Sequence, residues 1–245
     1  MQPDGVVPYL EGLGFSAVDA GRLADHFLDA ERRGKHGHGL ARVEWLATLP
    51  DLDPAAQPVR VSAAPGWELW DGNGALGYLT LTAIADRIVA EPPERALVVV
   101  ARRCFPSGML GYWARRLAEA GLVSLLTATS PPRLPHPQGT RPLVPTIPLA
   151  IGVPSADGRP LVSDVSMAKR TYGEVLAGLA SPDDLVPFGG EQAHKAFALA
   201  AGLTLAAEAL AGHDRAAIVV AARAEADPVP DFRARAAGLR LPGDS

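Results

Sequence analysis

Apolar and polar residues alternate in two rhythms along the chain, and the rhythm changes every ten to twenty residues. Ser16 stands ahead of Leu23, Ala24, Phe27, Leu28 and Ala30 at helical spacing, which predicts a capped amphipathic helix from about 17 to 33, stopped by Gly34. Leu40, Val43 and Leu46, with Arg42 and Glu44 between them, predict a second helix near whose start His38 and Arg42 share a face. Residues 59–62 and 67–70 alternate with a period of two beside the turn chemistry of Asp71-Gly72-Asn73-Gly74, so a β-hairpin or meander is expected there. Next come a helix at 76–90, a buried strand at 96–101, a helix at 110–120 and a strand at 122–126.

Seven prolines between 131 and 148 exclude a regular central strand and predict an ordered crossing segment. Strand patterns at 149–153 and 160–165 flank Asp157-Gly158 and predict a hairpin. Residues 193–211 are rich in Ala and Leu and apolar on most sides, the mark of a buried helix. A strand at 216–220, a short helix at 232–239 and a tail at 241–245 complete the chain. There is no internal repeat, and helices alternating with strands place the chain in the α/β class.

Composition narrows the function classes. With 245 residues, 48% apolar and 20% charged, the chain can bury one large core or two small ones. A net charge of −4 and a pI near 5.9 offer no basic field for nucleic acid. One cysteine excludes an internal disulfide, and no Cys/His cluster has zinc spacing, so no metal site is expected and a reducing cytoplasm is the expected compartment. The start of the chain lacks a basic, apolar leader, and no run approaches the roughly 18 apolar residues of a membrane span. A soluble, non-exported protein without a membrane partner is the expectation.

Four groups of residues carry candidate chemistry. His36-Gly37-His38-Gly39 sets two imidazoles beside flexible backbone, suited to proton transfer near neutrality; the other reading is a helix boundary with two exposed histidines. Arg42 can clamp a carboxylate with two parallel hydrogen bonds or be a solvated helical arginine. Gly189-Gly190 ahead of His194 and Lys195 presents backbone donors and positive charge to a phosphate, or is a tight loop; its spacing is that of neither a Walker loop nor a Rossmann fingerprint. Cys104, between Arg103 and Phe105, is read as buried and inert.

Taken in order, these segments resemble the malate/L-lactate dehydrogenase family. Arg33-Gly34 followed by His38-Gly39-Leu40-Ala41-Arg42 is similar to its "RG…SHGxxR" signature, Gly108 to Ala114 to "GxxGYYA", and Gly121-Leu122-Val123 to "GLIG". Thr129-Ser130-Pro131 is similar to "TNSPP", Pro145 to Ala150 to "GTNPLA", Asp164 to Gly173 to "DMATSxxAxG", and Pro187 to Gly190 with His194 to Leu199 to "PxGG…HKGFAL". Arg240-Leu241-Pro242-Gly243 matches the C-terminal "RxPGE". The likeness runs along essentially the whole chain.

The resemblance implies a mixed, largely antiparallel, non-Rossmann sheet with a helical N-terminal part. Residues 1–60 would form a substrate and dimer segment to which 225–245 return, and 61–224 a cofactor-binding domain. It implies NADPH or NADH as cofactor, a small carboxylic acid (a 2-oxo acid or cyclic imino acid) as substrate, and a homodimer. His38 takes the place of the proton donor and Arg42 that of the carboxylate anchor, while Gly37 stands where the family has a relay serine and His36 where it has an acid. Thr127, Ser130, Asp164, Gly189, Gly190, His194 and Lys195 fall at cofactor-contacting positions. Family members are longer, chiefly between Gly173 and Pro187 and between Gly212 and Phe232. The alternative is a member that has lost redox chemistry and uses His38 and Arg42 for cofactor-free acid–base catalysis.

Overall fold

A computed structural model describes residues 1–243; Asp244 and Ser245, the end of the expected tail, lie outside the described residues. The N-terminal part is helical. Helix α1 (Val6–Gly12) packs on α2 (Ala17–Arg32), whose cap is the Ser16 hydroxyl accepting the Asp19 N–H at 3.1 Å. Gly34, at φ +67°, ends the α2 segment, and a 3-10 turn at His36–His38 leads into α3 (Ala41–Leu46).

Strands β1 (Val59–Ala64) and β2 (Trp67–Asp71) form the expected hairpin, but it turns at Pro65-Gly66. The Asp71–Gly74 turn instead delivers the chain to α4 (Gly77–Ala90). Then come β3 (Ala96–Arg102), α5 (Leu110–Glu119), β4 (Leu122–Ala128), the short β5 (Leu134–Pro135) and β6 (Pro142–Val144), β7 (Pro148–Val153) and β8 (Leu161–Ser166). The proline-rich crossing is thus ordered as a small two-stranded ladder outside the main sheet. Helices α6 (Tyr172–Leu176) and α7 (Ala193–Ala211), strand β9 (Ala216–Arg223) and α8 (Val229–Arg235) follow.

The main sheet has seven strands in the order β1-β2-β3-β9-β4-β7-β8. Among the described residues only the β2–β3 pair is parallel, so the sheet is mixed and mostly antiparallel, as the resemblance implies. β9, the last strand, is inserted between β3 and β4. One sheet face carries Leu97, Val99, Ala101, Leu126, Val219 and Ala221 into a single core with α2, α4 and α5. Trp113, Leu117 and Leu110 on α5 recur at helical spacing and are fully buried there.

The long helix α7 corrects the sequence expectation. It packs on the opposite sheet face through one line of small residues, Ala196, Ala200, Thr204 and Ala207, and leaves Leu199, Leu205 and Leu210 exposed. Its Ala/Leu pattern does not identify which side has a partner within the chain.

Candidate active site

Residues from four distant stretches close a cavity of about 230 Å³ at the junction of the helical part and the sheet. Lys35 to His38 and Arg42 form one wall, Phe105 to Met109 a second, Ser130 and Arg133 with Thr146 a third, and Asp164, Ser166 and Thr171 to Glu174 a fourth. Tyr78, from the first turn of α4, completes the floor.

Two glycines in backbone contact build the first wall. Glycine is required at 37 because a Cβ there would stand 2.6 Å from the Glu174 backbone nitrogen, and at 173 because a Cβ would run into the Gly37 carbonyl. The absence of a side chain at Gly37 lets α6 come onto the 3-10 turn. The Gly37 carbonyl is in turn the acceptor that orients Arg42: it takes the Arg42 Nε–H at 3.0 Å, and the guanidinium lies 4.6 Å from the centre of the Trp45 ring. Arg42 is 8% exposed and has no acidic partner among the described residues, so the remaining guanidinium donors are free for a ligand anion.

His38 faces the cavity with a fully buried Nδ1 that has no hydrogen-bond partner. Burial pushes its pKa down to about 3; the charges of Arg42 and Lys35 lower it further and Glu174 opposes them. At neutral pH it is therefore a neutral imidazole. His36 lies on the rim, 57% exposed, with Nδ1 2.5 Å from Glu31 Oε2; Glu31 Oε1 accepts the Leu40 N–H at 2.7 Å. Glu31 therefore ties His36 to the outside of the turn.

A second imidazole lies beneath the cavity. His26, 1% exposed on α2, accepts the Met109 N–H through Nε2 at 3.2 Å, so its hydrogen sits on the partnerless, buried Nδ1. Its ring stacks on Trp113 at 4.7 Å, and burial followed by the His38 charge takes its pKa down to about 3. Gly108 makes this contact possible: at φ +60° any Cβ would strike the Tyr78 ring and His26 Nε2. The Tyr78 hydroxyl is likewise buried without a partner, and burial raises its pKa. Three orphan polar atoms thus gather under one small cavity, an arrangement that costs stability unless a ligand or solvent satisfies them.

Residues 4–185 match the malate/L-lactate dehydrogenase family. The chain belongs to that family. A (2R)-3-sulfolactate dehydrogenase (NADP(+)) of Chromohalobacter salexigens is 31% identical over 173 residues, which cover 69% of this chain and 52% of that protein. A Δ1-pyrroline-2-carboxylate/Δ1-piperideine-2-carboxylate reductase of Pseudomonas putida is 28% identical over 228 residues, 81% of this chain and 66% of that protein. The chain thus spans about half to two thirds of the length of these relatives. Among solved structures, a dehydrogenase from Sinorhizobium meliloti superimposes with a TM-score of 0.80 at 24% identity, covering 99% of this chain and 87% of that one. The Δ1-piperideine-2-carboxylate reductase of Pseudomonas syringae pv. tomato gives 0.82 at 22% identity, with 99% and 89% covered. These likenesses show the fold.

In this malate/L-lactate dehydrogenase family member the site residues read from sequence fall into two groups. His36, His38, Arg42, Ser130 and Asp164 border the cavity. Asp164, on β8, accepts the Gly111 N–H through Oδ2 at 2.8 Å; burial raises its pKa, while that hydrogen bond and the charges of Lys35 and Arg115 hold it down. Thr127, Gly189, Gly190, His194 and Lys195 do not border it. The Thr127 hydroxyl donates to the Pro148 carbonyl at 2.8 Å, and His194 and Lys195 are solvent-facing residues at the start of α7. Cys104 is fully buried, which pushes its thiol up to about 12. The sequence reading missed Tyr78, Arg133, Tyr172 and His26. Only His26 left a signal, a histidine inside the apolar stripe of α2.

Among the described residues no helix is long and apolar enough to cross a membrane.

Proposed function

We propose that the chain reduces a small 2-oxo acid or cyclic imino acid with NADPH or NADH, Arg42 holding the carboxylate and His38 giving the proton. The observation that carries this reading is the pairing in one cavity of a buried arginine lacking an acidic partner with a partnerless imidazole. The relatives' names, a sulfolactate dehydrogenase using NADP(+) and a cyclic-imine carboxylate reductase, support the same chemistry.

The cavity has room for a small acid beside a nicotinamide ring. Lys35, Met109 and Asp164 also border a second cavity of about 280 Å³, where Arg33, Arg115 and Arg240 supply positive charge. Lys35 and these three arginines suit the phosphates of a dinucleotide and would hold them. The bound nicotinamide supplies the hydride. His38 must then hold a proton, which its burial and the charges of Arg42 and Lys35 disfavour. A carboxylate on Arg42 cancels one of the charges that depress His38 and so favours the imidazolium beside the carbonyl or imine. Tyr78 and His26 shape the dry floor that keeps water from this proton. We further propose that two copies of the chain pair in solution.

A second reading has its own observation: the residues expected to hold the cofactor near α7 lie away from the cavity. On that reading His38 and Arg42 perform a cofactor-free isomerisation, cyclisation or condensation. Titration with NADPH and NADH by fluorescence, followed by nicotinamide oxidation with a panel of 2-oxo acids and cyclic imines, separates the two. Saturable binding and substrate-dependent oxidation are expected. No binding at millimolar cofactor by folded protein rejects the reductase reading in favour of the second.

A further inference from the structure

We propose that Arg133 is a second anion-binding residue of the cavity, so that the site selects substrates bearing two acidic groups, a carboxylate on Arg42 and a carboxylate, sulfonate or phosphate on Arg133. This rests on the reading that Arg42 takes the substrate carboxylate. Arg133 follows Pro131-Pro132, and its backbone N–H donates to the Val144 carbonyl at 2.9 Å, which fixes the main chain at the cavity wall. Its guanidinium carbon sits over the Tyr172 ring, 3.3 Å from the ring centre. Stacking uses the face of the group and leaves its edge donors for a ligand.

No acidic side chain among the described residues pairs with Arg133. The two acids of the cavity are engaged elsewhere. Glu174 accepts from Arg170 through Oε1 and from the Thr171 N–H and hydroxyl through Oε2, and Asp164 accepts from Gly111. The cavity is therefore left with Lys35, Arg42 and Arg133 and no free carboxylate facing them. The charge of Arg133 is felt at Arg42, whose pKa it helps to lower behind burial as the main cause. Two like charges lining one cavity are relieved by one dianion more than by one monoanion.

The test compares succinate with butyrate, equal in carbon number and different in charge, by calorimetry on the full chain without nucleotide. The wild type is expected to bind succinate at least about tenfold more tightly. Arg133→Gln should bring succinate to the level of butyrate and leave butyrate within about twofold, and Arg133→Lys should keep part of the preference; circular dichroism and melting check that both fold. An unchanged succinate preference in Arg133→Gln overturns the proposal, as does equal weakening of both acids. If Arg133→Gln instead weakens NADPH and keeps the succinate preference, the residue serves the nucleotide and the proposal fails. Because no turnover is read, absence of reductase activity leaves this result intact. Failure of the Arg42 reading shows separately, as butyrate binding indifferent to Arg42→Gln.

Discussion

At the residue scale the site is governed by two neutral imidazoles, His26 buried and His38 partly exposed to the cavity. His38→Ala should lower turnover by roughly 10²- to 10⁴-fold, the usual cost of losing a general acid, with the fold retained. His36→Ala should cost less, because Glu31 already holds that ring on the rim. Equal defects in the two variants would move the proton donor to His36. The same imidazoles set a pH dependence of stability. Each has a pKa near 3 in the folded chain against 6.5 when unperturbed, so between those values the unfolded chain binds more protons. Stability is complete above pH 6.5 and falls as the pH drops towards 3. From pH 6.5 to pH 5 each imidazole costs about 2 kcal/mol. Denaturant titrations at pH 7 and pH 5 should show that loss. His26→Gln, which keeps an acceptor for the Met109 N–H, should remove about half of it. A slope unchanged by His26→Gln would show that this imidazole is protonated in the folded chain.

At the scale of elements, the contact of the His36–His38 turn with α6 is the joint that aims Arg42. Gly173→Ala drives a Cβ into the Gly37 carbonyl, a collision with backbone that no rotamer relieves. A loss of about 1–3 kcal/mol, or several degrees in melting temperature, is expected together with a raised KM, because the Gly37 carbonyl is the acceptor for Arg42 Nε. Gly21→Ala, inside α2 with open space around its Cβ, should gain about 0.5–1 kcal/mol. Calorimetric melts of the two variants decide it, and a harmless Gly173→Ala would show that α6 is free to shift. This joint marks the boundary of what the sequence reveals. The strands, α2 and the His38/Arg42 pair follow from local periodicity and short spacing, which are properties of neighbours in the chain. Tyr78, Arg133 and Tyr172 reach the same cavity from separate segments, and nothing in their local patterns distinguishes them from ordinary aromatic or surface residues. The hairpin turn shifted from Asp71-Gly72 to Pro65-Gly66 for a related reason: both are turn dipeptides, and the parallel pairing of β2 with β3 selects between them.

At the scale of the whole molecule the sheet has two unlike faces. The first is sealed by α2, α4 and α5. On the second, strand alternation sets Val98, Val220, Leu125 and Ile151 side by side across four strands, and the register pairs each with the next. Leu125 is 41% exposed, and beside this row α7 turns out Leu199 at 51% and Leu205 at 64%. An apolar row continuous across a sheet is a surface that a partner covers. On the proposal that two copies pair, a two-fold axis would lay each α7 against the other chain's sheet and bury both unlike patches at once. Sedimentation at micromolar concentration should give a dimer, and Leu205→Asp or Leu125→Asp should yield folded monomer with a large loss of affinity between copies. Wild-type chain that sediments as a monomer would refute the pairing. The patch around Leu125 would then be a surface for a different protein, and Leu125→Asp would leave the hydrodynamic size unchanged.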